Sequence, residues 1–310
     1  MKQLTYKDFE LAFGEKLNNY IKSIIKKLTP HLQYSELTQS EKEEVILTIL
    51  KTLEKPTVKK AGSHRLEDWI KGWGENNEDF CSDKKFLSLI PKYFGKHPYV
   101  RWNQKFIKPT NSNFEYSMVQ ILQYWLFDKY FRNTNNVYEF GCGTGHNLFR
   151  VKDINSKASL YGLDWSVSSQ NLIKNINEHY KDTVNIQGHK FDFFNINDKF
   201  SLKDNSGIFT FAALEQVGNK CQNFIEYLIK QNPSVCLHIE PMGEYLDKNN
   251  LNDFLSIKYF EKRNYIKGLR KYLHKLYNEG KIEIIQDQRS NIGSMFVDGY
   301  SIIAWKPKTK

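Results

Sequence analysis

Three glycines at alternate positions, Gly141, Gly143 and Gly145, follow a short apolar segment and precede a helical segment. Glycine allows a positive φ and lets a ligand approach the backbone, and the first turn of a helix carries backbone N–H groups without helical partners. A nucleotide-type ligand binds such a loop where a parallel sheet changes direction. The segment from Val137 to Leu148 therefore predicts a strand, a ligand-binding turn and a helix.

The spacing of this loop argues against two other nucleotide-binding motifs. In the dinucleotide fingerprint GxGxxG, counted from Gly141, the third glycine would fall at His146. A P-loop needs Gly-Lys followed by Ser or Thr, and no such sequence follows. With Glu139 included, the run reads ExGxGxG and ends at Gly145.

An acid follows the second apolar segment of this region. Asp164 ends the segment Ser159–Leu163 and lies 23 residues after Gly141, close to the offset of about 20 residues at which a carboxylate binds ribose in dinucleotide folds. Two ribose hydroxyls can donate to one carboxylate. The alternative is an Asp that caps the next helix, but in combination with the glycine run we expect ribose binding.

The run ExGxGxG followed by Asp164 resembles the first motifs of class I S-adenosylmethionine-dependent methyltransferases, over roughly residues 111–310. The resemblance implies S-adenosylmethionine as cofactor. It also implies a Rossmann-like α/β sheet of seven strands in the order 3-2-1-4-5-7-6, with the last strand antiparallel. The cofactor-binding residues expected from it are Glu139, Gly141, Cys142, Gly143, Gly145, Asp164, Trp165, Asp192 and Phe193.

Asp192 and Phe193 follow the third strand, where the family often reads adenine. Asp192 would accept a hydrogen bond from the adenine amino group, and Phe193 would pack on the ring. The alternative is that Asp192 caps a loop and Phe193 belongs to the apolar core.

The resemblance places the groups that act on the methyl acceptor after strands four and five. Strand four leads into Ala-Leu-Glu-Gln, and neither a [DNS]PP[YFW] motif nor a Pro-Cys pair occurs, which argues against amino methylation of adenine or glutamine and against cytosine C5 methylation. Glu215 is the first candidate for substrate contact or for a general base; alternatively it begins the next helix. His238 and Glu240 alternate on one side of strand five and are the other catalytic candidates, as a general base pair or as a polar contact at the sheet end.

The elements that must position these residues alternate between strands and helices, which predicts a parallel sheet covered on both faces. The connection at 287–299 has no obvious room for a crossover helix, so the last two strands are predicted to be antiparallel. The predicted strands are Asn136–Phe140, Ser159–Leu163, Val184–His189, Gly207–Phe211, Ser234–Glu240, Lys281–Gln286 and Tyr300–Pro307.

The first 110 residues lie outside the resemblance and are predicted to be helical. Apolar residues keep helical spacing from Phe9 to Leu28, and a second helix is predicted after a capping box at Ser40 and Glu43. We therefore divide the chain into a helical region, 1–110, which is a candidate cover for the substrate, and a methyltransferase domain, 111–310.

Aromatic and basic residues near this boundary are candidates for contact with substrate or cofactor. They are Arg101, Trp102 and Tyr116, which combine rings, a guanidinium and a phenol. The alternative is a packed linker between the two parts of the chain.

Composition narrows the classes of protein. Of the 310 residues, 40% are hydrophobic and 26% charged, which excludes a wholly disordered chain. No stretch approaches the ~20 apolar residues of a membrane helix, and the first ten residues contain no signal-like apolar segment, so we expect a cytoplasmic protein without membrane insertion. The four cysteines form no CxxC pair, which favours a reducing compartment over a disulfide framework or a zinc site.

The net charge of +10 is spread along the chain, and only 7 of the 45 basic residues are Arg. A modest attraction to acidic partners follows, with nucleic acid possible but not favoured. The leading hypothesis is methyl transfer to an O or N atom of a small molecule, a sugar or a secondary metabolite. The alternatives are an RNA or protein methyltransferase and a non-catalytic module that binds the cofactor and serves a partner. No metal site is expected, and the oligomeric state is open.

Overall fold

The structure, a computed structural model, describes residues 1–197 and 199–308 and contains a large and a small β-sheet with helices packed around them. The helices are α1 (Tyr6–Phe13), α2 (Asn19–Leu28), α3 (Gln39–Glu54), α4 (Leu66–Asp83), α5 (Phe114–Phe131), α6 (His146–Ile154), α7 (Val167–His179), α8 (Gln222–Gln231), α9 (Leu251–Arg263) and α10 (Leu269–Asn278). The strands are β1 (Lys2–Gln3), β2 (Gln33–Glu36), β3 (Val100–Trp102), β4 (Lys105–Pro109), β5 (Asn136–Phe140), β6 (Ser159–Asp164), β7 (Ile186–Lys190), β8 (Ser206–Phe211), β9 (Val235–Glu240), β10 (Ile282–Gln288), β11 (Ile292–Gly293) and β12 (Ser301–Pro307).

The large sheet has seven strands in the order β10-β12-β9-β8-β5-β6-β7. Numbered within the sheet, this is 3-2-1-4-5-7-6, and β12 runs antiparallel to both of its neighbours. The α/β fold class, the strand order and the antiparallel last pair predicted above are confirmed. The chain leaves β5 toward β6 and β7 and then returns to β8 on the other side of β5, so the switch point of the sheet lies between β5 and β8.

Helices on both faces bury the central strands completely. Every residue of β5, β8 and β9 is buried, as expected for parallel strands with two covered faces. One apolar cluster includes side chains of α5, α6 and α7, and the other includes those of α8 and α10. The carboxyl ends of the parallel strands therefore meet at one edge, where ligands bind in open α/β sheets.

The first 110 residues also contain four short strands, which the sequence did not predict. They form an antiparallel sheet in the order β1-β2-β4-β3-β11, in which Ile292 pairs with Trp102 and Gly293 with Arg101. These strands have two to five residues, too few to show a clear alternation of apolar and polar residues. The N-terminal region and the segment before β12 thus share one sheet, so this region is packed against the rest of the chain.

Two predictions about the first helices were wrong in detail. The apolar stripe from Phe9 to Leu28 is divided into α1 and α2, because Gly14 ends α1 with a φ of 71°. The capping box of α3 lies at Thr38 and Glu41, where the Glu41 N–H donates to Thr38 Oγ1 (3.3 Å) and the Thr38 N–H to Glu41 Oε2 (2.9 Å).

Three further features concern membrane, metal and redox chemistry. No helix in the described part of the chain is long and apolar enough to cross a membrane. Among residues 1–197 and 199–308 no group of three or more potential metal ligands occurs. The four cysteines are free thiols.

Candidate active site

The glycine loop joins β5 to α6 at the switch point. Gly141, Gly143 and Gly145 all have positive φ, of 76°, 53° and 73°, which only glycine adopts without strain. A Cβ on Gly141 would overlap the Cβ of Ala213, and one on Gly143 would come within 2.8 Å of the Trp73 ring. The loop therefore needs glycine both for its backbone conformation and for close packing.

Asp164 ends β6 beside this loop and is 5% exposed. Its Oδ2 accepts the Gly143 N–H (2.9 Å) and its Oδ1 the Ser166 N–H (2.8 Å). Burial raises the pKa of this carboxyl to about 6, against the opposing effect of these backbone donors. Each carboxylate oxygen can accept a second hydrogen bond, so Asp164 holds the loop and still has capacity for a diol.

A narrow chamber of about 60 Å³ lies in front of Asp164. Trp165, Phe193 and Phe194 form an aromatic slot there, in which the rings of Trp165 and Phe194 are 5.6 Å apart. Asp192 is absent from the lining, and its Oδ1 caps the turn by accepting the Phe194 N–H (2.8 Å). The chamber is lined by Trp69, Trp73, Gly141, Asp164, Trp165, Phe191, Phe193, Phe194, Ala212, Ala213, Gln216 and Val217.

Glu139 lies on β5 behind the glycine loop and is 1% exposed. Its Oε1 accepts from Asn147 Nδ2 (2.7 Å), whereas Oε2 has no partner in the described structure. Burial raises the pKa of this carboxyl to about 8. An unpartnered buried oxygen is costly, which fits a position completed by a ligand.

A larger cavity of about 310 Å³ adjoins the narrow chamber at the same edge of the sheet. Cys142 lies in its wall, and Trp69, Trp73, Gly141, Ala212 and Gln216 line both spaces. The remaining lining residues come from segments far apart in sequence: Pro91, Tyr93, Lys96, His97, Glu115, Gly143, Thr144, His146, Asn147, Phe211, Glu215, Tyr259, Arg263, Tyr265, Ser294, Phe296, Val297 and Tyr300. An elongated ligand in both spaces would thus pass beneath the two stacked tryptophans.

Glu215, the first catalytic candidate, lines this larger cavity. Burial, reinforced by the neighbouring negative charge of Glu240, raises the pKa of its carboxyl to about 8, although Arg263 opposes the shift. Glu215 Oε1 accepts from Gln216 Nε2 (2.7 Å). A carboxyl group with a pKa near neutrality in a cavity can accept a proton from a bound ligand.

Glu240 and His238 do not line the cavity, in contrast to the expectation from strand alternation. The Glu240 carboxylate accepts the backbone N–H groups of Ala213, Leu214 and Glu215, each at 3.1 Å, and thereby fixes the turn that carries Glu215. His238 is fully buried inside the sheet against Thr210 Oγ1 (3.0 Å), and burial lowers its pKa to about 3.

The three candidates for substrate contact also lie outside the cavity lining. Arg101 is 1% exposed and donates to the carbonyl oxygens of Asn252 (2.8 Å) and Met295 (3.3 Å). Trp102 packs edge-on against Phe9 in the apolar cluster. The Tyr116 hydroxyl accepts a hydrogen bond from Arg150 behind the glycine loop. These contacts connect parts of the fold, and a role of the three residues in substrate contact stays a prediction.

Sequence reasoning missed most of the cavity wall. Trp69 and Trp73 had a signal, because they lie on one apolar stripe of α4, but helical spacing does not show what the stripe covers. Glu115 at the start of α5 and Tyr300 before β12 carried no local signal, since each reaches the cavity only through tertiary packing.

No family model matches the sequence, and no curated protein does. Among solved structures, the plantazolicin methyltransferase BpumL in complex with SAH has a TM-score of 0.44 and 13% identity, over 85% of this chain and 100% of that chain. The small RNA methyltransferase HEN1 has a TM-score of 0.49 and 12% identity, over 64% and 26%. A SAM dependent methyltransferase from Aquifex aeolicus has a TM-score of 0.39 and 14% identity, over 59% and 86%.

At such values these similarities identify no activity for this chain. The fold assignment comes from the molecule itself: seven strands in the order 3-2-1-4-5-7-6, one reversed strand, and a glycine loop at the switch point. The chain has the Rossmann-like fold of class I methyltransferases.

Proposed function

We propose that this protein is an S-adenosylmethionine-dependent methyltransferase that acts on an O or N atom of a small molecule. The observation that carries the proposal is the juxtaposition of two spaces at one sheet edge. Gly141 and Asp164 line the narrow chamber, and Gly141, Gly143 and Glu215 line the larger cavity.

The residues around the narrow chamber fit the cofactor. Asp164 would hold the ribose hydroxyls, and Trp165 with Phe193 would pack on adenine. The N–H groups of the glycine loop suit the carboxylate of the amino acid part. The unpartnered oxygen of Glu139, which lines neither space, is proposed for its ammonium. When bound, the cofactor supplies a methyl group activated by its sulfonium.

The chain's contribution to the transfer is positioning and proton acceptance. The larger cavity would hold the acceptor next to the glycine loop, which makes the reaction effectively unimolecular. Glu215 would take the acceptor's proton. Glu240 acts as a positioning residue, because its three backbone hydrogen bonds hold Glu215 in place.

A small molecule is favoured because the acceptor space is a cavity rather than a groove. Its volume of about 310 Å³ is at the lower end of the range for small-molecule sites. Segments from both ends of the chain surround it, including Tyr93, Glu115 and Tyr300.

Isothermal titration calorimetry with S-adenosylhomocysteine tests the cofactor, with NADH as the control ligand. We expect binding of the former and none of the latter; the reverse preference would refute the cofactor assignment. Transfer is then tested with methyl-tritiated S-adenosylmethionine and a fractionated extract of the source cell. Label in a small-molecule fraction supports the proposal, whereas label removed by nuclease or protease would establish the RNA or protein alternative.

Absence of label from every fraction, despite confirmed cofactor binding, would favour the non-catalytic module. An RNA enzyme would in addition show a steep salt dependence of RNA binding. These readouts separate the three hypotheses without knowledge of the acceptor.

A further inference from the structure

Two carboxyl groups, one buried and one partly buried, line the larger cavity. Glu115 at the start of α5 and Glu215 after β8 both line it. Tyr93 and Tyr300 line the same cavity. The pKa of both hydroxyls is raised, first by desolvation and further by the negative charges of both glutamates.

Neither carboxyl group forms an ion pair within residues 1–197 and 199–308. Glu115 accepts only the Gly95 N–H (3.2 Å), and burial raises its pKa to about 7. Burial likewise raises the pKa of Glu215 to about 8. Since a buried charge without a counter-ion is costly, a cation in the cavity would stabilise the Glu115 carboxylate and would add to the stabilisation that Arg263 gives Glu215.

In the described residues, Arg263 and Lys96 of the cavity lining form no ion pair with either carboxyl group. The Arg263 guanidinium packs over the rings of Tyr259 and Tyr265, at 5.8 and 5.2 Å from their centroids, and donates to the Tyr259 hydroxyl (3.3 Å). Lys96 is exposed at the rim. Arg263 is thus held by phenols and not by Glu115, while its charge also acts on Glu215.

Aromatic rings form much of the remaining wall. Trp69 stacks on Trp73 with centroids 5.3 Å apart, and Tyr259 stacks on Phe296 at 5.0 Å. Aromatic faces attract cations through their quadrupole, and carboxylates accept charge-assisted hydrogen bonds from N–H donors. Rings together with two carboxyl groups match an ammonium ion better than a neutral hydroxyl or an anion.

We propose that the methyl acceptor is an amine, held as its ammonium ion by Glu115 and Glu215 within the aromatic wall. This proposal rests on the methyl transfer proposed above. It goes further by naming the acceptor class and by assigning Glu115, for which the sequence gave no role.

The transfer step balances with the groups present. The ammonium gives a proton to the Glu215 carboxylate and becomes a neutral amine. The nitrogen lone pair forms the bond to the methyl carbon while the carbon–sulfur bond breaks, and that electron pair stays on sulfur as a neutral thioether. The positive charge then resides on the methylated nitrogen, next to Glu115.

Three probes of similar size test the charge preference: 2-phenylethylamine, 2-phenylethanol and 3-phenylpropionate. Their affinities are measured by calorimetry on protein saturated with S-adenosylhomocysteine. We expect the amine to bind at least roughly tenfold more tightly than the alcohol, and the acid most weakly. Equal affinities, no binding of any probe, or tightest binding of the acid would overturn the amine assignment.

The variants Glu115→Gln and Glu215→Gln test whether these two carboxyl groups cause the preference for the amine. Each is expected to weaken amine binding roughly tenfold while affinity for the alcohol changes less than about twofold. Glu54→Gln, at an exposed carboxyl at the end of α3, is the matched control and should change neither. Loss of alcohol binding in parallel with amine binding would contradict a charge-specific role, and the wild-type ranking remains a test if a variant does not fold.

Failure of this proposal is distinguishable from failure of the proposed function. Absence of S-adenosylhomocysteine binding refutes the cofactor, whereas cofactor binding with no amine preference refutes only the acceptor class. The labelled product from cell extract gives a second readout. A methylated amine enters organic solvent only from alkaline solution, whereas a methyl ether that extracts at any pH or a base-labile methyl ester would overturn the assignment.

Discussion

The two spaces at the sheet edge differ in how the chain builds them. The narrow chamber is lined mostly by Gly141, Asp164, the segment after β7 and the turn after β8, at the ends of neighbouring strands, and in addition by Trp69 and Trp73 of α4. The larger cavity adds further residues of the N-terminal region, α5, α9 and the segment before β12. The proposed cofactor half of the site is thus encoded largely in short motifs, whereas the proposed acceptor half depends more on segments outside the parallel core.

The largest expected effect separates the two spaces by function. Glu215→Gln removes the proton acceptor from the larger cavity and leaves the narrow chamber unchanged. The rate of transfer should fall about 10²–10⁴-fold, while affinity for S-adenosylhomocysteine stays within about twofold. Single-turnover transfer to the labelled extract fraction and calorimetry measure the two quantities.

Glu54→Gln is the control for this change, because its carboxyl is exposed and lines neither space. If Glu215→Gln transferred the methyl group at the wild-type rate, the proposed division into a cofactor chamber and a catalytic acceptor cavity would be wrong. The larger cavity would then have no acid–base role.

A second change tests whether Arg101 in the small sheet stabilises the fold or contacts a ligand. Arg101 lies 3.8 Å from Asp298 with both side chains 1% exposed. Arg101→Gln leaves Asp298 with less compensation, so the free energy of unfolding should fall by about 3–5 kcal/mol. Urea denaturation measures it, and Lys105→Gln on the exposed side of β4 is the control. A selective loss of acceptor binding at unchanged stability would instead restore Arg101 as a ligand contact.

The third change addresses the narrow chamber alone. Asp164→Ala removes the carboxylate expected to bind ribose and also the acceptor of the Gly143 and Ser166 N–H groups. Affinity for S-adenosylhomocysteine should fall roughly 10–100-fold, as measured by calorimetry. Asp182→Ala, at an exposed position, is expected to have no effect. Unchanged affinity in Asp164→Ala would refute ribose binding.

The smallest expected effect is the pH dependence of transfer. Burial and Glu240 raise the pKa of Glu215 to about 8, and Arg263, Gln216 and Tyr265 oppose the shift. A base is active when ionised, so kcat/KM should rise about tenfold between pH 7 and pH 9. Glu215→Gln should lose this rise. If kcat/KM of the wild type did not change with pH, or if the variant showed the same increase as the wild type, Glu215 would not be the group that titrates.

The outcome for individual residues shows what local patterns can and cannot predict. The glycine run and Asp164 were located from sequence because their function depends on backbone conformation and on strand ends, which nearby residues determine. Asp192 was expected at adenine; its Oδ1 accepts the Phe194 N–H, and its role at adenine stays a prediction. Glu240 was placed on the correct strand end, but it is fully buried and its carboxylate accepts three backbone N–H groups.

The sequence by itself determined the alternation of strands and helices, the glycine loop and the acid after β6, because period and turn chemistry act over a few residues. Only the tertiary structure decided the acceptor cavity, since Tyr93, Glu115 and Tyr300 meet there through contacts distant in sequence. The physical reason is that burial, and with it the pKa of Glu115 and Glu215, depends on everything packed around a group. A local sequence pattern does not contain this information about tertiary packing.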